Sequence, residues 1–149
     1  MKWDVSKNNS YYAYVQPTDD TTYAVQSLQS VGRKSEQGRA RLCFHSSSKA
    51  ATHIMMIYHD FRTQVPIHRH QPYGEYILLM EGECKIVFYD ESLSKNREIN
   101  LRKSDSSLQT PVYIEPGAWH SLHFKTYAIF YEISPGADDD KVTEFASGA

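Results

Sequence analysis

The sequence predicts an all-β domain, a sandwich or barrel of short strands with a small helical addition at its N-terminal end. From Arg41 onward, short apolar runs alternate with turn-like segments. Within Cys84-Lys85-Ile86-Val87-Phe88-Tyr89, residues Cys84, Ile86 and Phe88 share one face in period-2 order. Short strands with turn signals this frequent form antiparallel sandwiches and barrels.

In chain order, the first twenty residues are polar and tyrosine-rich, with Pro17-Thr18-Asp19-Asp20 as a turn. From Tyr23 to about Lys34, Ala24, Val25, Leu28 and Val31 recur at helical spacing, with Thr21 or Thr22 as the cap. Gly32 and Gly38 stop this helix before Arg39. The expected strands are Arg41 to His45, His53 to Phe61, Glu75 to Met80, Glu83 to Tyr89, Arg97 to Leu101, Val112 to Glu115, Trp119 to Phe124 and Tyr127 to Ile133. Turns are expected at Ser46-Ser47-Ser48, Glu81-Gly82, Asp90-Glu91-Ser92 and Pro116-Gly117. The tail after Pro135-Gly136, including Asp138-Asp139-Asp140, reads as surface with a last helical turn near Phe145.

Composition narrows the function classes. A chain of 149 residues buries roughly two thirds of its surface and needs no disulfide or structural metal to hold a core. A net charge of −2 leaves no electrostatic footprint for nucleic acid or an anionic membrane. Cys43 and Cys84 form no CxxC pair and read as buried thiols in a reducing compartment. The first residues lack the apolar core of a signal peptide, and Tyr76-Ile77-Leu78-Leu79-Met80 is too short to span a bilayer. A cytoplasmic location is therefore expected. There is no phosphate-binding glycine loop, no HExxH and no Gly-x-Ser-x-Gly elbow.

The chemistry concentrates in four residues. In an extended strand His68 and His70 point to the same face, so both imidazoles can converge on one point. The loop Gln71-Pro72-Tyr73-Gly74 returns the chain so that Glu75 can add a carboxylate oxygen. His120 follows the Pro116-Gly117 turn and offers a third imidazole. Mixed imidazole and carboxylate donors suit divalent Fe, Mn, Ni, Cu or Zn.

His68-x-His70-x4-Glu75-x6-Gly82 resembles the first motif of the cupin superfamily, and Pro116-Gly117-x-x-His120 resembles the second. Three positions depart from that pattern: Arg62 replaces the leading glycine, Glu115 a proline and Phe124 an asparagine, none of them a ligand. The resemblance implies a jelly-roll (double-stranded β-helix) barrel holding one divalent ion, Zn, Fe, Ni or Mn, through His68, His70, Glu75 and His120. It places an N-terminal extension over residues 1–36 and the barrel over 37–149, in a single domain. The chain also resembles the WbuC-type proteins of bacterial polysaccharide gene clusters. Arg39-Ala40-Arg41-Leu42-Cys43-Phe44-His45, Val65-Pro66-Ile67-His68-Arg69-His70 and Ile114-Glu115-Pro116-Gly117-Ala118-Trp119-His120 carry that resemblance. So do Glu132-Ile133-Ser134-Pro135-Gly136 and the tail from Asp140-Lys141 to Phe145-Ala146.

The resemblance implies a sugar or sugar-derived acid as ligand, with isomerase- or epimerase-like Lewis-acid chemistry. An Fe(II)-dependent dioxygenase and a non-catalytic ligand-binding or regulatory protein are the alternatives. It also implies a homodimer, with Tyr11 to Val15 supplying a strand across the two-fold axis.

Further candidates for contacting a ligand are Arg41 and His45, on one strand face, and Tyr58, Tyr73 and Tyr131 through their hydroxyls. Cys43 and Cys84 read as core fillers, Trp119 as core or interface, and His123 lies on the opposite face from His120. Glu132, late in a core strand, needs a partner such as Arg41. His53 and His59 have no partner legible in the sequence.

Overall fold

The computed structural model describes residues 1–103, 110–136 and 140–147. Asp138 and Asp139, expected at the surface, lie outside the described residues. Eleven strands and one helix follow in the order β1 (Asp4–Val5), β2 (Tyr11–Tyr14), α1 (Thr21–Lys34), β3 (Arg39–Cys43), β4 (Thr52–Asp60), β5 (Val65–Gln71), β6 (Glu75–Tyr89), β7 (Lys95–Arg102), β8 (Val112–Ile114), β9 (Trp119–His123), β10 (Tyr127–Pro135) and β11 (Val142–Phe145). The first sheet runs β1-β2-β3-β4-β10-β6-β8, and the second runs β7-β6-β9-β5-β11. They close on one another as the jelly-roll barrel that the strand pattern anticipates.

One strand belongs to both sheets. The first half of β6 pairs with β10 and β8, and the second half with β7 and β9. The corner is Gly82, at φ 81°, where a Cβ would stand 2.1 Å from the Tyr127 carbonyl oxygen. Only glycine accepts that backbone conformation so close to a neighbouring chain. The turn expected at Glu81-Gly82 is thus a bend inside one continuous strand.

Alternation along the strands fills two cores. Between the sheets, Ile57, Ile77, Leu79, Cys84, Ile86, Phe88, Ile114, Leu122, Phe124 and Phe130 pack together. On the outer face of the first sheet, Leu42, Met56, Tyr58 and Ile129 pack under Ala24 and Leu28 of the helix. Strand β4 feeds both, sending Ile57 inward and Met56 and Tyr58 outward. Cys43 and Cys84 are free and buried, as core fillers should be, and burial pushes the Cys84 thiol up to about 12.

The helix cap lies one residue before the first one expected. Asp20, not Thr21 or Thr22, accepts hydrogen bonds from Thr22 N (2.9 Å) and Tyr23 N (3.2 Å), since a carboxylate also complements the helix dipole. Gly32 sits inside the helix, where a Cβ would meet the Tyr58 ring at 2.1 Å, so the helix lies close upon the sheet. No helix among the described residues is long and apolar enough to cross a membrane.

Arg62, which stands in place of the motif glycine, ties helix to barrel. Its guanidinium donates to the carbonyls of Arg33 (3.0 Å) and Ser35 (2.9 Å), past the helix end, and to Asp60 Oδ2 at 2.7 Å. Tyr58 OH also donates to Asp60. Burial alone would raise the Asp60 carboxyl, but the Arg62 hydrogen bonds outweigh it and hold the group below its usual range.

Both terminal segments are strands. Tyr11–Tyr14 pairs in parallel with Arg39–Cys43 and, through Tyr11 and Tyr12, antiparallel with Asp4–Val5 of the same chain. The tail forms no helical turn at Phe145. It is strand β11, antiparallel to β5, with Thr143 opposite His70 and Phe145 opposite His68.

Leu28 is fully buried at the helix–sheet contact, so Leu28→Ala should cost about 3 kcal/mol in urea unfolding. Asp60 stabilises the fold above the ordinary carboxylate range, and that contribution is lost as pH falls through its depressed value. Asp60→Asn should therefore be less stable than wild type at pH 7, with the gap narrowing below about pH 4. Denaturation curves at both pH values measure it.

Candidate metal centre

The two halves of the site are joined by strand pairing. His68 on β5 stands directly opposite His120 on β9, after a register irregularity between Val65 and His68. His70 follows two residues on, facing the same way. Glu75 opens β6 beside them, and the Gly117 N–H donates to the His70 carbonyl at 2.8 Å, clasping the two motifs. One ligand atom from each of His68, His70, Glu75 and His120 can be chosen so that all lie within 4.8 Å of one another. His120 is fully buried and Glu75 nearly so.

The rings are oriented from behind. His68 Nδ1 lies 2.8 Å from the Pro66 carbonyl and His120 Nδ1 lies 2.9 Å from the Ala118 carbonyl. A carbonyl only accepts, so each Nδ1 carries a proton, and Nε2 is the atom that each ring turns toward the cluster. His120 Nε2 is 3.3 Å from Glu75 Oε1, and His70 Nε2 is 3.6 Å from Glu75 Oε2. The His120 Nε2 is buried without a well-formed hydrogen bond, and a cation between that nitrogen and the Glu75 carboxylate would satisfy both. These residues fit a divalent ion, and the group could bind one.

Electrostatics support the same picture. Burial, then neighbouring His120, pushes His68 down to about 4, so the ring is neutral at pH 7. Burial would raise the Glu75 carboxyl, but the imidazoles of His120 and His70 facing its two oxygens outweigh it and hold the group below its usual range. Glu132 does the opposite. Burial, then repulsion from Glu75, raises its carboxyl well above the usual range, and it hydrogen-bonds to Glu75. A protonated Glu132 therefore donates to Glu75. Arg41 and Lys141 lie near enough to favour its ionised form, so Arg41 is a charge neighbour of Glu132, as its lone carboxylate required. Lys141 Nζ donates to the Pro135 carbonyl (2.8 Å) and Ser134 Oγ (3.3 Å).

The other candidates scatter. Arg41 lies on the barrel-facing side of β3, opposite Ile57, with its guanidinium 5.7 Å from the Tyr12 ring. His45 is buried, stacked on His53 at 4.0 Å, and is no neighbour of the four donors. Tyr58 and Tyr131 are on the outer face: Tyr58 lies under the helix, and Tyr131 packs near Phe44. Neither hydroxyl is placed at the four donors, because their positions in the strands carry the opposite parity to Glu132. Tyr73 lines a surface cavity of about 430 Å³ with Tyr76 and Tyr113, also outside the barrel. Trp119 is buried under Arg69, whose guanidinium lies 4.3 Å from the ring centre. His123 faces outward with Ser121, and His59 packs against Phe124 and Phe130. Sequence reasoning missed Thr143, whose Oγ1 lies 3.0 Å from His70 Nδ1 across 73 residues of chain, and also Lys141.

Comparison with known proteins agrees with the geometry. A family model described as "Domain of unknown function (DUF6016)" matches residues 21–101. No curated protein matches the chain. Among solved structures, a cupin 2 domain-containing protein from Halorhodospira halophila aligns with TM-score 0.55 and 18% identity, over 72% of this chain and 69% of that one. A putative sugar phosphate isomerase from Acidithiobacillus ferrooxidans aligns with TM-score 0.50 and 15% identity, over 64% and 56%. A vicilin from Solanum melongena, described as having different anionic ligands in structurally similar pockets, aligns with TM-score 0.50 and 14% identity, over 68% and 26%. The chain spans only 23% of the length of procruciferin, an 11S globulin from Brassica napus, and 28% of that of a 7S globulin from Momordica charantia. At such identities the likeness is one of fold, and the fold is that of the cupins.

The back-side hydrogen bonds make a spectroscopic prediction. Nitrogen-15 correlation spectra of metal-free protein should show a proton on Nδ1 of both His68 and His120. Rings with a bare Nδ1 at these positions would contradict the orientation derived above.

Proposed function

We propose that this chain, which belongs to the family described as Domain of unknown function (DUF6016), is a metal-dependent cupin that holds one divalent ion through His68, His70, Glu75 and His120. The observation that carries this reading is the convergence of three imidazoles on one buried carboxylate, with the Nδ1 atoms of His68 and His120 committed to backbone carbonyls. Four protein donors leave one or two positions open on a five- or six-coordinate ion. An ion there would supply Lewis acidity to a ligand oxygen.

The chain's own residues define which ligand suits such a centre. Arg41 and Lys141 bring positive charge to the side of Glu132, which favours an anionic, oxygen-rich molecule over a neutral apolar one. The hydrogen bond between Glu132 and Glu75 holds a proton beside the centre, where it can be passed to or taken from a ligand hydroxyl. A sugar or a sugar-derived acid combines both features. The resemblance to the WbuC-type proteins of polysaccharide gene clusters supports that choice, and so does the fold shared with a putative sugar phosphate isomerase. Isomerase- or epimerase-like chemistry is the activity that these groups serve best. Cytoplasmic location and a homodimeric state complete the reading, and both rest on the sequence.

Elemental analysis of purified protein should find about one divalent ion per chain. His70→Ala and His120→Ala should each lose it. Glu75→Gln should weaken binding less than any His→Ala change, because the amide retains one oxygen donor. Competition with a chelator at fixed pH measures the ranking. Full metal retention in both alanine variants would refute the assignment.

A further inference from the structure

The three imidazoles are not held alike. His68 and His120 are fixed by carbonyls two residues back on their own strands, so their orientation is complete once β5 and β9 have formed. His70 has no such local partner for Nδ1. Its contact is Thr143 Oγ1, at 3.0 Å, contributed by β11 in the register that sets Thr143 opposite His70. A carbonyl enforces one tautomer, whereas a hydroxyl can either donate or accept, so it serves a ring that changes partners.

We infer that Thr143 is the positioning residue for His70, and that the C-terminal strand β11 is thereby part of the metal-binding unit. This rests on the metal-centre reading above and adds a dependence that the four donors alone do not contain. With the Thr143 hydroxyl accepting the Nδ1 proton, His70 Nε2 is held facing Glu75, 3.6 Å from Oε2. Without an acceptor there, the ring is free to rotate, and the fourth donor loses its orientation. The strand that carries Thr143 is held on one side only. All four of its residues are exposed, and its anchors beyond the β5 ladder are Arg69 to Glu144 at 2.9 Å and the Ala146 N–H to the Ile67 carbonyl at 3.0 Å. Thr143 is exposed, so substituting its side chain should leave both cores as they are.

The test uses Co2+ as the probe on the full chain, with its visible absorption as a report of coordination and chelator competition for affinity. Thr143→Val keeps the shape and removes the acceptor, and should weaken Co2+ binding about tenfold. Thr143→Ser restores the acceptor and should bind as wild type does. Metal-free melting temperatures should coincide for all three, which separates positioning from stability. Thr143→Val binding Co2+ as wild type does, or Thr143→Ser failing as badly as Thr143→Val, overturns the inference. Wild-type protein that takes up no Co2+ overturns the metal-centre reading itself, and this inference with it.

Discussion

The pairing of β5 with β9 is the constraint on which the centre depends. It sets His68 against His120 although 51 residues separate them in the chain. In a strand, a slip of one residue turns every side chain to the other face. Here a slip would bring Trp119 or Ser121 into the barrel and put His120 outside. Leu122, on the same face of β9 as His120 and packed against the inner core with Phe88 and Ile86 of β6, resists such a slip, because it would have to leave the core with it. The apolar interior thus fixes the position of the polar site at its end.

A buried group of this kind must also balance its charges. Beside the neutral His68 ring, an ionised Glu75 and a protonated Glu132 carry one negative charge between them inside the barrel wall, with Arg41 and Lys141 nearby. Two ionised carboxylates so close together would repel at several kcal/mol or more in a weakly polar interior, at about the level general for buried like charges. Sharing one proton avoids that cost. The same arrangement keeps Glu75 an acceptor, which suits a cation.

Much of this was legible before the structure, and the exceptions have identifiable causes. Short apolar runs between turn signals located β4, β9 and β10 to within a few residues, and period-2 alternation marked the second half of β6. The four donors were legible because local spacing and the two glycine turns already imply convergence. What was not legible depended on pairing across the chain. Gly82 reads as a turn locally, and only the neighbouring Tyr127 carbonyl shows it to be a corner. Tyr58 and Tyr131 were plausible ligand contacts until strand parity placed them under the helix and on the outer face. Thr143 sits in an exposed strand with no apolar pattern to mark it. Arg62 looked like a defect in a glycine motif, yet it replaces the glycine with an anchor for α1.

The two cores on either side of the first sheet have a kinetic consequence. Strands β4 and β10 are covered on both faces, by the barrel interior and by the helix, so their amide protons can exchange only when both cores open together. Strand β11 is covered on neither, and its amides exchange by local fraying. The donors of the centre therefore span a gradient of opening free energy. Glu75, at the start of β6 where it pairs with β8 and approaches β10, belongs to the slow end, and His70, leaning on β11, to the fast end. An ion leaving such a centre would let go of His70 first.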